Sequence, residues 1–491
     1  MPDETPIEET IGIDEVKLAK LDDLRAKGRD PFLQARYDRT HTCAAVAEKF
    51  DELQGSVVRI AGRIMSKRDH GKAGFADLAD ESGRIQIYYK LDKVGAEAFD
   101  DLTKLDLGDI VGVEGKVFAT RTGQKTVEVE KAVLLTKIIR TLPEKWHGLT
   151  DVEIRYRQRY VDLIVNPEVR ERFRIRSAVM AEMRRFLDSR GFIEVETPIL
   201  QPLAGGATAE PFITHYNALG TDVYLRIAIE LHLKRLIVGG IEKVYEMGRI
   251  FRNEGLSVRH NPEFTMLELY WAYVDYTDIL KLVEESIANI AQSVFGTYDF
   301  EIAGEKVSLE PPFARMTFAE ALDKYTGIKL ERLTEADQVV KAAESVGVEL
   351  PEKRTYEKVL DEIMKTKVEP HLIQPTFLLD YPVELSPLAK RIPTNPRLTY
   401  RFELFVNKME LANAFSELND PIDQRKRFES QIADQTEGYR ELDEDFLRAL
   451  EYGMPPTGGL GIGMDRLVMM FTGQTSIREV LLFPQLKPEG R

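Results

Sequence analysis

The start of the chain carries hydrophobic residues at helical spacing. Between residues 14 and 53 apolar positions recur every three or four residues, as in helices that pack one face against a core. The first such stretch ends at Gly28, and Thr40 and Thr42 are suited to cap the next helix. The pattern predicts an N-terminal helical segment over residues 1–54.

Between residues 56 and 136 the period changes to two, which predicts strands with one buried face. Five short runs carry this alternation: VVRIAGRIM, GFADLAD, RIQIYYK, DIVGVEGKVFAT and KTVEVEKAVLLTK. A helical stretch, VGAEAFDDLTKL, lies between the third run and the fourth. Five strands with a helix after the third are typical of a Greek-key β-barrel of the oligonucleotide-binding (OB) type. We predict such a barrel over residues 55–140.

The rest of the chain mixes helical and strand patterns. We interpret residues 141–166 as a linker, and a helix that starts at Pro167 leads to Gly191. The region 167–491 is predicted to form one larger α+β domain. Within it, residues 313–370 are richer in helix signals and are interpreted as an insertion.

The amino-acid composition indicates a globular protein and argues against several other classes. The 491 residues are 43% hydrophobic and 30% charged, as in globular domains. No apolar run reaches the length of about 18 residues that predicts a membrane span. The acidic N-terminus lacks the pattern of a signal peptide, so we expect a cytoplasmic protein. A single cysteine, Cys43, cannot form an internal disulfide or a thiolate zinc site, and we expect no zinc.

The formal net charge of −15 argues against a protein that simply coats duplex DNA. Local basic segments nevertheless leave nucleic acid binding open. Residues 56–75 hold five lysines and arginines against one aspartate, and residues 153–190 hold ten arginines against six acidic residues. Each segment is a candidate surface for a polyanion, or simply solvated surface charge.

Three later segments carry polar residues that a purely structural element does not need. In the first, a helix leads into a strand and Pro198 in GFIEVETPILQP. In the second, residues 244–273, a polar loop rich in Arg, Asn and Glu lies between two apolar runs, as in a long hairpin. The third, TGGLGIGMDRLVMMFTG, has a glycine run that lets backbones approach closely, followed by an arginine at the start of an apolar helix.

Residues two apart in a strand share a face, and this rule groups the polar side chains of three predicted strands. If the strands are neighbours, one sheet surface gathers carboxylates, an arginine, an amide and aromatic rings. That combination favours a binding site over an apolar packing face. The groups are Phe264, Met266, Glu268 and Tyr270; Glu246, Gly248, Ile250 and Arg252; and Asn413, Phe415 and Glu417.

These segments resemble the three signature motifs of class II aminoacyl-tRNA synthetases, through FRNEG, RHNPEFT and GLGIGMDR. Together with GGATAEPFITH, YPVELSPLAKR and NAFSELNDP, they make the chain similar to class II lysyl-tRNA synthetases of the bacterial type. The resemblance covers roughly residues 50–491. It implies an OB-fold anticodon-binding barrel, a catalytic domain on an antiparallel sheet, and a homodimer formed through the first motif.

The resemblance further implies a ligase that makes lysyl-adenylate and pyrophosphate from lysine and ATP, then transfers lysine to the terminal adenosine of tRNA(Lys). Arg252 and Arg466 are the implied catalytic residues, since a guanidinium binds paired oxygens. Magnesium is implied at Glu403 and Glu410, whose hard oxygens suit it. The implied ATP-binding residues are Arg252, Glu254, Arg259, His260, Phe264, Glu403, Glu410 and Arg466. The implied lysine-binding residues are Gly206, Glu230, Glu268, Tyr270, Asn413, Phe415, Glu417 and Gly461, and the implied anticodon contacts are Arg68, Phe75, Gln86 and Glu130.

The sequence departs from the family pattern at three places. Ile229 stands where proline is usual, and Glu210 stands where a basic residue is common. Residues 393–398 lie in a slightly lengthened loop. The first two departures lie near Gly206 and Glu230, the implied contacts to the α-amino group of lysine.

Other functions stay open on the residues alone. A synthetase for aspartate or asparagine would share the barrel and motifs, but its side-chain pocket would need positive or amide groups where Glu268 and Glu417 stand. A paralogue that attaches lysine to a protein would lack the barrel. A nucleic-acid-binding scaffold without catalysis would lack motif residues such as Arg252, Phe264 and Arg466, and a class I synthetase would carry HIGH and KMSKS signatures.

Overall fold

The computed structural model describes residues 12–143, 149–207, 209–433 and 441–488. The chain divides into two compact units, Met1–Thr150 and Asp151–Arg491. Within the described ranges, no helix is long and apolar enough to cross a membrane.

The first unit contains a closed barrel with the strand order β1-β2-β3-β5-β4. The alternating pattern predicts these strands because every second side chain is buried: in β2, Ala76 and Leu78 point into the core, whereas Phe75 and Asp77 lie on the outer face. The prediction of a five-stranded barrel is confirmed. The strands are β1 (Val57–His70), β2 (Ala73–Ala79), β3 (Arg84–Lys90), β4 (Ile110–Ala119) and β5 (Lys125–Thr136).

Helices flank this barrel in sequence. The hydroxyl of Thr42 accepts the N–H of Ala45 and caps α2, as predicted. Thr40 is not a cap, because its hydroxyl instead accepts the N–H of Arg59 on β1. The helix predicted after the third strand is broken at Gly95, whose φ is 81°. The helices are α1 (Glu15–Ala26), α2 (Cys43–Glu48), α3 (Phe50–Leu53), α4 (Leu91–Val94) and α5 (Ala96–Lys104).

The second unit is built on an eight-stranded sheet with the order β14-β15-β18-β19-β20-β11-β10-β6. The six central strands are antiparallel, and β14 and β6 add parallel edges. Its strands are β6 (Ile193–Glu194), β10 (Lys243–Phe251), β11 (Glu263–Ala272), β14 (Ala314–Thr317), β15 (Thr376–Leu379), β18 (Arg401–Val406), β19 (Met409–Ser416) and β20 (Thr457–Gly463). The smaller sheets contain β7 (Leu200–Gln201), β8 (Ile213–Tyr216), β9 (Thr221–Leu225), β12 (Asp299–Ile302), β13 (Glu305–Ser308), β16 (Arg391–Ile392) and β17 (Asn395–Thr399).

Helices of the second unit pack into three hydrophobic cores. The largest core joins α8, α10 and α16 to the sheet, and a second core includes residues of α9 and α15. The predicted insertion forms a third core through α11, α12 and α13. The helices are α6 (Val152–Arg157), α7 (Arg159–Val165), α8 (Pro167–Asp188), α9 (Glu230–Val238), α10 (Tyr276–Ile290), α11 (Phe318–Thr326), α12 (Ala336–Ser345), α13 (Tyr356–Ile363), α14 (Pro421–Ala433), α15 (Glu444–Glu451) and α16 (Met464–Phe471).

The predicted linker over residues 141–166 is too long. Its last part, from Asp151, belongs to the second unit as α6 and α7. Arg159 explains why: its side chain is fully buried, forms an ion pair with Asp162 at 2.5 Å, and donates to the carbonyl of Leu482. Arg155 and Arg159 of this segment thus form ion pairs inside the second unit, with Asp162 and Glu479.

Candidate active site

The polar loop in the second candidate segment joins two paired strands. β10 and β11 form the predicted hairpin, in which Glu246 lies opposite Glu268 and Ile250 lies opposite Phe264. Arg252 follows directly after β10, and its N–H donates to the carbonyl of Pro262 at 2.8 Å. The hairpin therefore fixes the backbone of Arg252, and the side-chain Nε donates to the carbonyl of Ile227 at 3.4 Å.

Strand register aligns polar residues in a row across the central sheet. Glu403, Asn413, Gly461, Glu268 and Glu246 are successive partners on β18, β19, β20, β11 and β10. Directly opposed residues in a sheet point to the same face. The condition set in the sequence analysis is met in part: β10 and β11 are neighbours, and β19 lies one strand further, with the glycine-rich β20 between β11 and β19.

A cavity of about 430 Å³ opens over this row. Most of the predicted ATP- and lysine-binding residues line it. They are Gly206, Glu230, Arg252, Glu254, Arg259, His260, Phe264, Glu268, Tyr270, Glu410, Asn413, Phe415, Gly461 and Arg466. Glu403 and Glu417 do not line the cavity: Glu403 is bonded to Tyr381 and Arg401, and Glu417 lies buried behind the wall.

Buried carboxylates occupy the part of the cavity beside Tyr270. Glu268 accepts the N–H of Ile229 at 3.2 Å and the hydroxyl of Tyr270 at 3.4 Å. Burial and the neighbouring Glu230 raise the pKa of Glu268 to about 7. This part of the cavity thus holds more negative charge than its own surroundings stabilise, which suits a cationic ligand.

Glu417 forms an ion pair with Lys234, a residue that the sequence analysis did not single out. The Nζ of Lys234 lies 2.5 Å from Oε2 of Glu417 and 2.5 Å from Oε1 of Glu230. Burial raises the pKa of Glu417 to about 8, although Lys234 opposes the rise. The i,i+4 spacing of Glu230 and Lys234 in the apolar helix α9 was the sequence signal for this pair.

Two arginines, Arg252 and Arg466, line the cavity. The guanidinium carbon of Arg252 lies 5.3 Å from the centre of the Phe264 ring. Arg466 donates to Oε2 of Glu410 at 3.0 Å and is preceded by Asp465, which forms an ion pair with Arg176 at 2.6 Å. These contacts place two cationic groups in one cavity, as a triphosphate requires.

Glu403 and Glu410 fit the chemistry of a magnesium site. Burial raises the pKa of Glu403 to about 7, with a smaller contribution from Glu410 and against the effect of Arg401, to which Glu403 is bonded. Among the residues that the structure describes, no group of three or more His, Cys, Asp or Glu side chains is arranged to hold a metal ion alone. Two carboxylates, with phosphate and water completing the coordination, are what Mg²⁺ usually takes.

The loop between β10 and β11 is exposed and carries its own local bonds. Ser257 accepts the N–H groups of Arg259 and His260, and its hydroxyl lies 2.9 Å from Nδ1 of His260. Burial and Arg466 lower the pKa of His260 below 6.5, so the imidazole is neutral at pH 7. Glu254 and Arg259 lie on the same loop and are exposed.

The structure shows what the residues at the three departures from the family pattern contact. Ile229 has an N–H that proline lacks, and this N–H is the donor to Glu268. The carbonyl of Glu210 accepts the N–H of Asn253 at 2.7 Å, which ties this segment to the loop after β10. Gly206 has a φ of +84°, and an added Cβ would lie 3.0 Å from Ala228. Residues 393–398, predicted to be a lengthened loop, form the two-residue turn after β16 and then the first four residues of β17.

The predicted anticodon residues lie in the first unit, on or near one outer face of the barrel. Arg68, Phe75 and Tyr88 are aligned partners on β1, β2 and β3, and the rings of Phe75 and Tyr88 are 4.8 Å apart. Gln86 accepts the hydroxyl of Thr126 at 3.0 Å, and Glu130 is exposed. Phe75 is therefore not a core residue, and Tyr88 extends its aromatic surface.

Sequence reasoning also missed Arg401, which lines the cavity. Its Nε donates to Oδ1 of Asn413 at 3.0 Å, and another nitrogen lies 2.5 Å from Glu403. Arg401 thereby positions one predicted lysine-binding residue and one predicted magnesium ligand. Its place opposite Phe415 in the β18–β19 register was not visible without the strand pairing.

Comparison with known proteins connects both units to one kind of enzyme. Residues 151–487 match the family described as tRNA synthetases class II (D, K and N), and residues 58–135 match the OB-fold nucleic acid binding domain. A protein from Moorella thermoacetica named lysine–tRNA ligase is 56% identical over 477 residues, which cover 96% of this chain and 97% of that protein. Proteins of the same name from Carboxydothermus hydrogenoformans and Bacillus subtilis are 54% and 52% identical, with 96% of this chain and 97% of each protein covered.

Proposed function

Because this chain belongs to the family of class II tRNA synthetases (D, K and N), we propose that it is a lysine–tRNA ligase. It activates lysine with ATP, which yields lysyl-adenylate and pyrophosphate, and then transfers the lysyl group to the terminal adenosine of tRNA(Lys). We propose the cytoplasm as its location, since this reaction serves translation. The lysine-named relatives and the OB-fold barrel support the assignment.

One observation carries the choice of lysine within this family. Glu230, Glu268 and Glu417 are all buried in or directly behind one cavity, with Tyr270 between them. A carboxylate buried without a cation is costly, so a pocket of this kind favours an ammonium group and rejects neutral or acidic side chains. Aspartate and asparagine would need a positive or amide pocket here.

Formation of lysyl-adenylate depends on the positioning of the substrates and on stabilisation of negative charge more than on proton transfer. The carboxylate of lysine is ionised at neutral pH and attacks the α-phosphorus without a general base. An oxygen–phosphorus bond forms and the bond to pyrophosphate breaks. We assign Arg252 to the α-phosphate and the lysine carboxylate, where its planar guanidinium offsets the charge that develops on the phosphoryl oxygens.

The remaining ATP contacts follow from the walls of the cavity. We assign Phe264 and Arg466 to the two faces of the adenine ring, and Arg466 also to the γ-phosphate. Three residues of the loop between β10 and β11 are assigned as further ATP contacts: Glu254, Arg259 and His260. When bound, Mg²⁺ would offset the negative charge of the phosphate groups. Glu403 and Glu410 would hold it, and Arg466, bonded to Glu410, would set the position of that carboxylate.

We assign the two ends of lysine to different sides of its pocket. Glu268 and Glu417, with Tyr270, receive the ε-ammonium, and Gly206 and Glu230 receive the α-ammonium. Asn413 contacts the carboxylate, while Phe415 and the bare backbone of Gly461 shape the walls around the alkyl chain. Their alignment across β11, β19 and β20 supports a joint role.

Amino-acid-dependent ATP–pyrophosphate exchange tests the proposed function. We expect exchange with lysine and none with aspartate or asparagine. Glu268→Gln should lower kcat/KM for lysine about 50-fold, because a charge-assisted bond contributes about 1.5–3 kcal/mol. Glu284→Gln is the matched control: it is equally buried, accepts the N–H of Phe313 at 2.7 Å, and lies outside the cavity wall. Aspartate-dependent exchange would refute the assignment.

The activity should depend on pH through the buried carboxylates. Their pKa values of about 7 for Glu268 and about 8 for Glu417 mean that both lose protons as the pH rises from 6 to 8. Only the ionised form pairs with an ammonium, so kcat/KM for lysine should rise about tenfold over this range. Glu268→Gln should flatten the lower part of the profile. A kcat/KM that stays constant from pH 6 to 8 would contradict the assigned roles.

Recognition of tRNA is proposed for the outer face of the barrel that carries Arg68, Phe75 and Gln86, together with Glu130. Phe75→Ala should raise the KM for tRNA by about 5- to 150-fold, because stacking of a base on an aromatic ring contributes about 1–3 kcal/mol. Lysine-dependent pyrophosphate exchange without tRNA should be unchanged. The measurement is aminoacylation with varied tRNA concentration, and an unchanged KM would remove Phe75 from the anticodon surface.

We propose a homodimer that covers the exposed apolar residues after α8. Ile193, Leu200, Ile213 and Leu219 are 50–68% exposed and lie on or beside β6, β7 and β8. So many exposed large apolar side chains in one part of the sequence are typical of an interaction surface. Sedimentation velocity should show a dimer that Ile213→Asp shifts towards monomer. A monomeric wild-type protein with full activity would overturn this proposal.

A further inference from the structure

Lys234, a residue of the protein itself, is buried beside the pocket that we propose binds the substrate lysine. Its side chain is completely inaccessible to solvent, in the middle of α9. The Nζ contacts Glu230 and Glu417 at 2.5 Å each and lies 5.9 Å from the centre of the Tyr270 ring. A lysine is almost never buried in this way unless anionic groups surround it.

The ion pairs of Lys234 with Glu230 and Glu417 determine the net charge of the proposed lysine pocket. When all three carboxylates are ionised, Glu230, Glu268 and Glu417 supply three negative charges. Lys234 supplies one positive charge, so the ionised pocket keeps two negative charges. Free lysine brings two ammonium groups, and its carboxylate is assigned to Arg252. The charge of the pocket therefore matches an amino acid with an amine at each end, and an amino acid with only one ammonium leaves a carboxylate uncompensated.

We propose that Lys234 is a specificity-determining residue that positions Glu230 and Glu417 and sets the charge of the pocket to that of a dicationic amino acid. This inference rests on the proposed function. The role is one of positioning, since Lys234 is not part of the cavity wall and acts through the two carboxylates that it holds.

The oxygen atoms that Lys234 leaves free support this role. Oε2 of Glu417 is occupied by Lys234, whereas Oε1 is buried and has no hydrogen-bond donor among the described residues. That oxygen lies beside the backbone of Gly459 and close to the ring of Tyr270. A buried carboxylate oxygen without a donor is costly, and an ammonium entering the pocket would satisfy it.

The competing explanation is that the ion pairs only hold α9 against the segment after β19. Buried ion pairs often contribute little beyond local order, and loss of one partner then lowers stability without a specific effect on substrate. The two explanations differ in what paired removal of charge restores. Under either explanation it leaves no unpaired buried charge and so restores stability, but only a charge-matching role also restores kcat/KM for lysine.

The test compares Lys234→Met with Lys137→Met in the full-length protein. Lys137 is a matched control: its side chain is 2% exposed and bonded to Asp106 and Asp109 in the barrel unit. We expect Lys234→Met to lower kcat/KM for lysine at least 30-fold in pyrophosphate exchange, with less than a threefold change in the KM for ATP. Lys137→Met should lower the melting temperature but leave kcat/KM for lysine within threefold.

The double variant Lys234→Met with Glu230→Gln removes one charge of each sign and restores two negative charges. We expect it to activate lysine at least fivefold better than Lys234→Met and better than Glu230→Gln. If Lys234→Met does not fold, the comparison of the double variant with Glu230→Gln still decides. The pH profile of kcat/KM should also move to higher pH in Lys234→Met, since Glu417 loses its nearest cation.

Three results would overturn the inference: lysine activation within threefold of wild type in Lys234→Met, a double variant no better than Glu230→Gln, or an equal loss in Lys137→Met. Failure of the proposed function looks different. It would appear as wild-type protein without lysine-dependent exchange, before any variant is made.

Discussion

Replacement of Gly459 by alanine is expected to raise the KM for lysine at least 100-fold. A Cβ at this position would lie 1.8 Å from Oε1 of Glu417 and 2.7 Å from the ring of Tyr270. Both distances are far below van der Waals contact, so the carboxylate must leave its place beside Lys234. Because Glu417 is assigned to the ε-ammonium, the displacement should act on lysine binding more than on ATP binding.

The measurement is pyrophosphate exchange with varied lysine at saturating ATP, accompanied by thermal unfolding. Overpacking at Gly459 costs about 1–3 kcal/mol, so the melting temperature should fall by only a few degrees. Gly463→Ala on the same strand is the control, since its Cβ would meet Arg466 at an ordinary 3.5 Å. A KM for lysine within a few-fold of wild type in Gly459→Ala would show that Glu417 does not contact the substrate.

Arg252→Ala is expected to lower kcat for pyrophosphate exchange about 1000-fold. Removal of one preorganised group that stabilises developing charge typically costs about 10²–10³ in rate, and Arg252 is assigned to two anionic partners at once. Arg252→Lys should recover little of the loss. An ammonium is a point charge, whereas the guanidinium faces the ring of Phe264 and can bind paired oxygens.

Arg249→Ala provides the control for a lost arginine on the same hairpin. Arg249 lies three residues earlier in β10, is exposed, and is outside the cavity wall. Its variant should keep kcat within threefold. Comparable rates in Arg252→Lys and wild type would mean that a single positive charge suffices, and the paired-oxygen role would then be wrong.

Local patterns predicted most elements because burial follows the period of the strand or helix. Four of the five barrel strands begin and end within one residue of the predicted runs, since alternation of apolar and polar positions depends only on neighbouring residues. The first strand, β1, continues five residues past the predicted end at Met65, to His70. Period-two spacing also grouped Phe264, Glu268 and Tyr270 correctly. It did not give the order of the strands, on which the row from Glu403 to Glu246 depends.

What the sequence left out depends on contacts between distant segments. The burial of Arg159 and of Lys234 is set by partners that are hundreds of residues away, Leu482 and Glu417 respectively. Charged residues are read from sequence as solvated, which is why α6 and α7 were assigned to a linker and Lys234 was passed over.

β20 carries glycine at three successive positions of one strand face, Gly459, Gly461 and Gly463, and the last two line the cavity. A designer who wishes to change the accepted amino acid can therefore gain little by trimming this strand, because no atoms remain to be removed. Enlarging the site would require shorter residues on the flanking strands, at Tyr270 or Phe415. Substitution of any of these glycines can only make the site smaller, so substitutions that enlarge it are confined to the neighbouring strands β11 and β19.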